Sequence, residues 1–151
     1  MRARAQRPPP SIARSFLMTA RVHQQLARSG AAQVARAAEA MTDALQAGRK
    51  IIWFGNGGSA TQSQHMAAEF VGRFAKERRA LPSISLTENM ASVTAIANDY
   101  DYDRIFVRQL EALSQPGDVA VGLSTSGSSR NVLAGLRRAR ELGLTTIGFT
   151  G

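Results

Sequence analysis

Residues 50–70 read KIIWFGNGGSATQSQHMAAEF and contain the change of pattern that decides the fold. Residues 50–54 (KIIWF) form a short apolar run, which is typical of a strand buried on both faces. A glycine-rich break follows, and the segment from Ser59 onward has a helical pattern. A buried strand that turns directly into a helix predicts the first half of a βαβ unit.

The same pattern, an apolar run followed by a helical segment, recurs along the rest of the chain. Short apolar runs follow at 83–86 (SISL), 119–123 (VAVGL) and 145–149 (TTIGF). Helices are predicted between the runs, at about 59–74, 90–97, 103–113 and 131–142. This alternation predicts an α/β fold with a parallel sheet covered by helices on both faces. The larger apolar side chains are expected in its core: Trp53, Phe54, Met66, Phe70, Phe74 and Phe106.

The N-terminal region has a different character. Residues 11–46 carry apolar side chains at helical spacing, which predicts two helices broken near residues 28–30. Residues 1–10 combine prolines and arginines with nothing to bury, so we expect a disordered basic tail there. The remaining length suits a single domain over residues 11–151.

Composition excludes several classes of protein. The chain has no cysteine, so disulfides and thiolate metal sites are ruled out. Its basic start lacks an apolar core typical of a secretory signal, and its apolar runs are too short to span a bilayer. These features predict a cytoplasmic protein with no membrane partner.

The formal net charge of +8 raises the question of a nucleic-acid partner. The arginines are scattered rather than clustered with aromatic residues, which favours solvated helix faces and an anionic small ligand over nucleic acid. Arginine pairs well with phosphate, so the excess suits a phosphorylated substrate.

Two loops carry the strongest candidates for ligand binding. GNGGSA (55–60) follows the first predicted strand, and STSGSS (124–129) follows the third. Neither matches a dinucleotide or P-loop fingerprint. A single such loop could be only a turn with a helix cap. Two at equivalent positions favour a ligand site, because helix N-termini at the carboxyl edge of a parallel sheet suit phosphate.

Two pairs of polar residues are more ambiguous from spacing alone. His65 and Glu69 are four residues apart and share a helix face, which fits either a base with a metal or an ordinary surface contact. Asn98 and Asp99 fit either a ligand contact or a simple helix stop.

The full set of motifs resembles a known family. GNGGSA, QHMAAEFVGRF, LPSISLTENMASVTAIANDYDYDRIF and STSGSSRNVLAGLRRARELGLTTIGFTG are together similar to the phosphoheptose isomerases of the SIS (sugar isomerase) domain superfamily, from about Ser11 to Gly151. The resemblance implies a flavodoxin-like α/β sandwich, assembled as a homotetramer. It also implies interconversion of sedoheptulose 7-phosphate and D-glycero-D-manno-heptose 7-phosphate through an enediol, in the first step of nucleotide-heptose synthesis.

The resemblance also assigns roles to individual residues. It implies that His65 and Glu69 bind zinc and that both are catalytic, with Glu69 as the acid/base carboxylate. Substrate contacts are implied for a larger set: Asn56, Gly57, Gly58, Ser59, Glu69, Asn98, Asp99, Ser124, Thr125, Ser126 and Ser129, of which the four residues from 124 onward would hold the phosphate.

Members of the family continue past the GFTG strand into a further strand and a helix, which supply a Gln and a His. We therefore expect the remaining zinc ligands beyond residue 151, and a chain that is either a truncated fragment or a short form with impaired or lost activity. The alternative is a non-catalytic SIS protein that senses sugar phosphate or binds the replication initiator protein. The presence of both GNGGSA and Glu69 favours the enzyme.

Overall fold

The computed structural model describes residues 11–151. The predicted disordered tail at residues 1–10 lies outside this range. The helices are α1 (Ile12–Ser29), α2 (Ala31–Gln46), α3 (Gly58–Val71), α4 (Met90–Asp99), α5 (Ile105–Leu113) and α6 (Arg130–Glu141), with a 3-10 helix at Tyr102–Arg104. The strands are β1 (Ile51–Gly55), β2 (Ser83–Ser85), β3 (Val119–Ser124) and β4 (Thr145–Thr150).

The four strands form one parallel sheet in the order β2-β1-β3-β4. The chain builds outward from β1 to β2, then returns to place β3 on the other side of β1. The direction of winding therefore reverses between β1 and β3, where an open α/β sheet forms its ligand crevice. This order confirms the predicted flavodoxin-like parallel sheet.

Helices cover both faces of the sheet because β1 and β3 are apolar on both sides. Ile52 and Phe54 face a core formed with α5 and α6, whereas Ile51 and Trp53 face a core formed with α2 and α3. Phe54 lies 5.0 Å from Phe106 between ring centroids. The indole Nε1 of Trp53 donates to Ser83 Oγ at 2.9 Å, so the one polar atom of this buried side chain is satisfied.

A buried ion pair fixes the starts of β1 and β3 relative to each other. Asp118 is 1% exposed and accepts from Lys50 Nζ at 2.7 Å and from the Lys50 backbone N–H at 3.0 Å. It also accepts from the Gln115 backbone N–H at 2.8 Å. A buried carboxylate that receives several donors is well compensated for its loss of water.

Contacts divide the described residues into two compact units, residues 11–37 and 38–151. In the first unit, the predicted break between the two helices is confirmed at Gly30. Ser11 caps α1 by accepting from the Arg14 N–H at 3.3 Å. No residue of α1 is buried, and its apolar side chains are more than half exposed: Ile12, Phe16, Leu17, Met18, Val22 and Leu26.

One predicted core residue is wrong. Phe74 is 81% exposed, because α3 ends at Val71 and Phe74 lies in the loop that follows. Trp53, Phe54 and Phe106 are buried as predicted. Among the helices described, none combines the length and apolar character needed to cross a membrane.

Candidate functional site

Two loops meet at the reversal point of the sheet. The first loop, residues 55–59, runs from the last residue of β1 into the first turn of α3, and the second loop, residues 124–129, runs from the last residue of β3 to the N-cap of α6. Gly55 of β1 pairs with Leu123 of β3, so both loops leave the sheet at the same edge. Ser59, Ser124 and Thr125 line one cavity of about 210 Å³ together with residues 149–151. The two loops therefore lie at one edge of the sheet, and Ser59 of the first loop shares a cavity with Ser124 and Thr125 of the second.

Glycines shape both loops. Gly57 has a φ of +56° and Gly127 a φ of +66°, a region that side chains with a Cβ rarely adopt. Gly57 is also the N-cap of α3 and offers no side chain to the first amides of that helix. The amides of Ser59 and Ala60 bond to the carbonyls of Asn56 and Gly57, so within the first turn the Gly58 N–H is the amide left to face a ligand.

Hydroxyl groups of the second loop contact one another. Ser124 is 7% exposed, and its Oγ lies 3.0 Å from Ser129 Oγ. Ser126 Oγ accepts from the N–H and the hydroxyl of Ser128, at 3.2 and 3.0 Å. Ser128 is thus a hydroxyl that reasoning from the sequence did not include.

The two helices that begin at the crevice lack side-chain caps, unlike α1 and α4. Ser129 is the N-cap residue of α6 but bonds to Ser124 rather than to an amide of its helix. By contrast, Asn89 caps α4 by accepting from the Ser92 N–H at 3.1 Å. In α6 the Val132 N–H is bonded to Asn131 Oδ1, so the amides that remain for a phosphate group beside the hydroxyl donors are those of the first two helical residues.

Asn56 of the first loop is tied to residues from two other segments. Its side-chain amide exchanges two hydrogen bonds of 2.8 Å with the amide of Asn131, the second residue of α6. The Tyr102 hydroxyl donates to Asn56 Oδ1 at 3.1 Å. Sequence reasoning missed Asn131 and Tyr102, since Asn131 lies 75 residues and Tyr102 46 residues from Asn56 along the chain.

His65 and Glu69 face each other one turn apart on α3. His65 Nε2 lies 3.5 Å from Glu69 Oε1, and the side chains are 70% and 27% exposed. They line a cavity of about 400 Å³ with Phe70, Phe74 and Arg78. Glu69 is ten residues from Ser59 on the same helix, or about 15 Å along its axis. Within this chain, His65 and Glu69 therefore line a different cavity from the two loops.

Asn98 and Asp99 end α4, as the helix-stop interpretation predicts. Asn98 Nδ2 donates to Asp99 Oδ1 at 2.9 Å, and both residues are exposed. Asp99 lines a third cavity, of about 510 Å³, with Tyr100 and Arg108. Tyr102, three residues after Asp99, connects this segment to the first loop by its hydrogen bond to Asn56.

The His65 and Glu69 pair has the chemistry of a partial zinc site. Imidazole nitrogen and carboxylate oxygen are both zinc ligands, and two atoms about 2.0–2.1 Å from a tetrahedral zinc lie roughly 3.4 Å apart. Their separation of 3.5 Å fits. Between residues 11 and 151, no group of three or more His, Cys, Asp or Glu side chains is placed to hold a metal. The pair thus offers two of the three or four protein ligands that zinc takes.

The family model for the SIS domain matches residues 16–151, and the chain belongs to the SIS domain family. Within that family it is similar to phosphoheptose isomerases. It is 55% identical over 121 residues to the phosphoheptose isomerase of Aquifex aeolicus (strain VF5), covering 80% of this chain and 63% of the relative. It is 48% identical over 139 residues to that of Thermodesulfovibrio yellowstonii, covering 92% and 69%.

Solved structures agree with the sequence comparison. The phosphoheptose isomerase of Neisseria gonorrhoeae superposes with a TM-score of 0.86 at 38% identity, over 93% of this chain and 73% of that one. The isomerase of Francisella tularensis gives a TM-score of 0.89 at 34% identity, with the same coverage. The chain spans 63% of the length of the Aquifex relative.

Proposed function

We propose that this chain binds sedoheptulose 7-phosphate and serves its isomerisation to D-glycero-D-manno-heptose 7-phosphate in the cytoplasm. The observation that carries the proposal is the shared crevice of the two loops, where Ser59, Ser124 and Thr125 line one cavity. The similarity to phosphoheptose isomerases supports the choice of substrate.

The two loops have different parts in this proposal. Ser124, Thr125, Ser126 and Ser129 hold the phosphate with their hydroxyls and with the start of α6. Asn56, Gly57, Gly58 and Ser59 contact the sugar, as do Asn98 and Asp99. The sugar contacts are supported by two observations. The first loop lies beside the second, and the Tyr102 hydroxyl donates to Asn56.

The reaction moves a proton between adjacent carbons, so it requires a carboxylate or another base and an acid for the oxygen. We assign the base to Glu69, which is 27% exposed and can reach a ligand from the cavity that it lines. His65, whose Nε2 lies 3.5 Å from Glu69 Oε1, is assigned to the same catalytic pair as a zinc ligand. Anchoring the phosphate at the second loop retains the enediol until the proton returns.

Zinc is the proposed cofactor, held by His65 and Glu69 with further ligands from outside the described residues. When bound, a divalent cation at this position would polarise the substrate carbonyl. Zinc titration of the wild-type chain and of His65→Ala tests the assignment, with weaker binding expected in the variant. Equal affinity in the two chains would refute it.

A homotetramer is the proposed assembly. Two observations support association with further copies. The exposed apolar side chains of α1 form a surface that water disfavours. Glu69 and the second loop line separate cavities in one chain, and a neighbouring copy with its Glu69 beside the second loop would bring a base to the bound sugar.

The function is tested by calorimetric titration together with a coupled isomerase assay. We expect sedoheptulose 7-phosphate to bind and non-phosphorylated sedoheptulose to bind far more weakly, because the second loop recognises the phosphate. Equal binding of both sugars, or binding of neither, would refute the proposed substrate.

A further inference from the structure

Asn131 joins the start of α6 to the first loop from a buried position. It is 2% exposed and lies in the first turn of α6, directly after the second loop. Its side chain makes a reciprocal pair with Asn56: each Nδ2 donates to the other Oδ1 at 2.8 Å. The hydrogen bonds of Asn131 therefore join the start of α6 to the first loop.

A backbone donor determines which way both amides point. The Val132 N–H can only donate, and it lies 2.9 Å from Asn131 Oδ1, so that atom must be oxygen. The other end of Asn131 is then a donor, and the atom of Asn56 opposite it must be an acceptor. The orientation of the Asn56 amide is thus set by Asn131 and, through it, by the start of α6.

The pairing leaves the Asn56 side chain with one free N–H donor for a ligand. Its Oδ1 already accepts from Asn131 Nδ2 and from the Tyr102 hydroxyl. Its Nδ2 carries two hydrogens, of which one is donated to Asn131. A bound sugar oxygen would therefore meet an N–H donor at Asn56.

We propose that Asn131 is a positioning residue for substrate binding, which acts by holding the Asn56 amide in its donor orientation beside the second loop. The proposal rests on the proposed function, because it assumes that Asn56 contacts the sugar. The assigned role is indirect: Asn131 is buried, and both ends of its amide face protein atoms.

A loss of stability alone would not distinguish this role, because removing any buried amide that is fully bonded destabilises a protein. A double-mutant cycle does distinguish it. If Asn131 acts through Asn56, the two substitutions cannot have independent effects on affinity. If Asn131 only supports the fold, its effect persists whether or not Asn56 is present.

The experiment measures the dissociation constant of sedoheptulose 7-phosphate for the wild-type chain, Asn56→Ala, Asn131→Ala and the double variant. We expect each single variant to bind about tenfold more weakly, the upper effect of one neutral hydrogen bond. We expect the double variant to show about the same tenfold loss. A loss near a hundredfold in the double variant would overturn the proposal.

Two further variants complete the design. Asn131→Ser keeps an acceptor for the Val132 N–H and gives the same cycle if Asn131→Ala does not fold. Ser114→Ala, which removes a hydroxyl bonded to the Leu110 carbonyl, is expected to bind like wild type. If the wild-type chain binds no sedoheptulose 7-phosphate, the proposed function fails and this inference with it; measurable binding with additive losses overturns this inference alone.

Discussion

At the scale of single residues, the candidate site depends on polar side chains that sequence spacing alone left ambiguous. His65 and Glu69 at four residues' separation are common on any helix. The structure adds that Glu69 is only 27% exposed and lines a cavity, which makes it a stronger candidate for a base than the spacing did.

The first prediction at this scale concerns Glu69. Glu69→Gln keeps the shape of the side chain but cannot accept a proton, so we expect isomerase turnover to fall by about 10²–10⁴-fold. The free energy of unfolding should change by no more than about 0.5 kcal/mol. Glu77→Gln, at a carboxylate 83% exposed and paired with Arg73 on the surface, is the matched control and should be fully active. Turnover equal to wild type in Glu69→Gln would contradict the assignment.

The second prediction concerns the phosphate. Ser124→Ala removes the hydroxyl that lies 3.0 Å from Ser129, and we expect it to weaken binding of sedoheptulose 7-phosphate by about tenfold. Ser114→Ala removes a hydroxyl bonded to the Leu110 carbonyl and is the control, with unchanged affinity. Calorimetric titration measures both. If the two variants bind alike, the second loop does not hold the phosphate.

At the scale of secondary structure elements, local pattern was sufficient for most of the fold. The four strands were predicted within one residue of their observed bounds, because continuous apolar runs flanked by glycine and polar residues are a local signal. The end of α3 was not predicted. The helix ends at Val71, and Arg78 bonds to the Glu69 carbonyl near that end. This contact has no signature in the local sequence.

Arg78 carries the third prediction. Its Nη2 donates to the Glu69 carbonyl at 2.6 Å, and its Nη1 donates to the carbonyls of Phe70, Gly72 and Arg79 at 2.9–3.0 Å. A cation that bonds the last carbonyls of a helix stabilises it. We therefore expect Arg78→Ala to lower the free energy of unfolding by about 1–2 kcal/mol in urea denaturation. The neighbouring Arg79→Ala should change it by less than about 0.5 kcal/mol. Equal effects would contradict this account.

The residues missed from sequence share one physical cause. Asn131, Tyr102 and Arg78 act through contacts to atoms that are distant in sequence or to backbone carbonyls. Asn131 looked like an ordinary residue near a helix start, and only the pairing of β1 with β3 brings it to Asn56. The two loops themselves were predictable because glycine and serine after a buried strand are a local signal.

At the scale of the whole molecule, the exposed apolar side chains of α1 have no packing partner that explains them within one copy. Phe16 is 73% exposed and Leu17 63%. The sequence predicted this helix correctly, yet helical spacing does not say what its apolar side chains pack against. The proposed homotetramer gives them a partner of the same chain.

The fourth prediction tests this assembly. Phe16→Glu places a charge in the exposed apolar surface of α1, and we expect it to reduce the molecular mass measured by light scattering from that of a tetramer to a smaller species. Arg21→Gln changes the net charge by the same one unit on the face of α1 that carries Arg14, Arg21 and Arg28, and should leave the mass unchanged. A monomeric wild-type chain, or a Phe16→Glu variant with the mass of wild type, would contradict the role of this surface.

The most direct test of the central claim is a crystal structure of the chain with sedoheptulose 7-phosphate bound. We predict that the phosphate lies within hydrogen-bond distance of Ser124 and Ser129 at the start of α6, with the sugar against Asn56. A phosphate bound elsewhere, such as beside Arg108 in the cavity near Tyr100, would contradict the account.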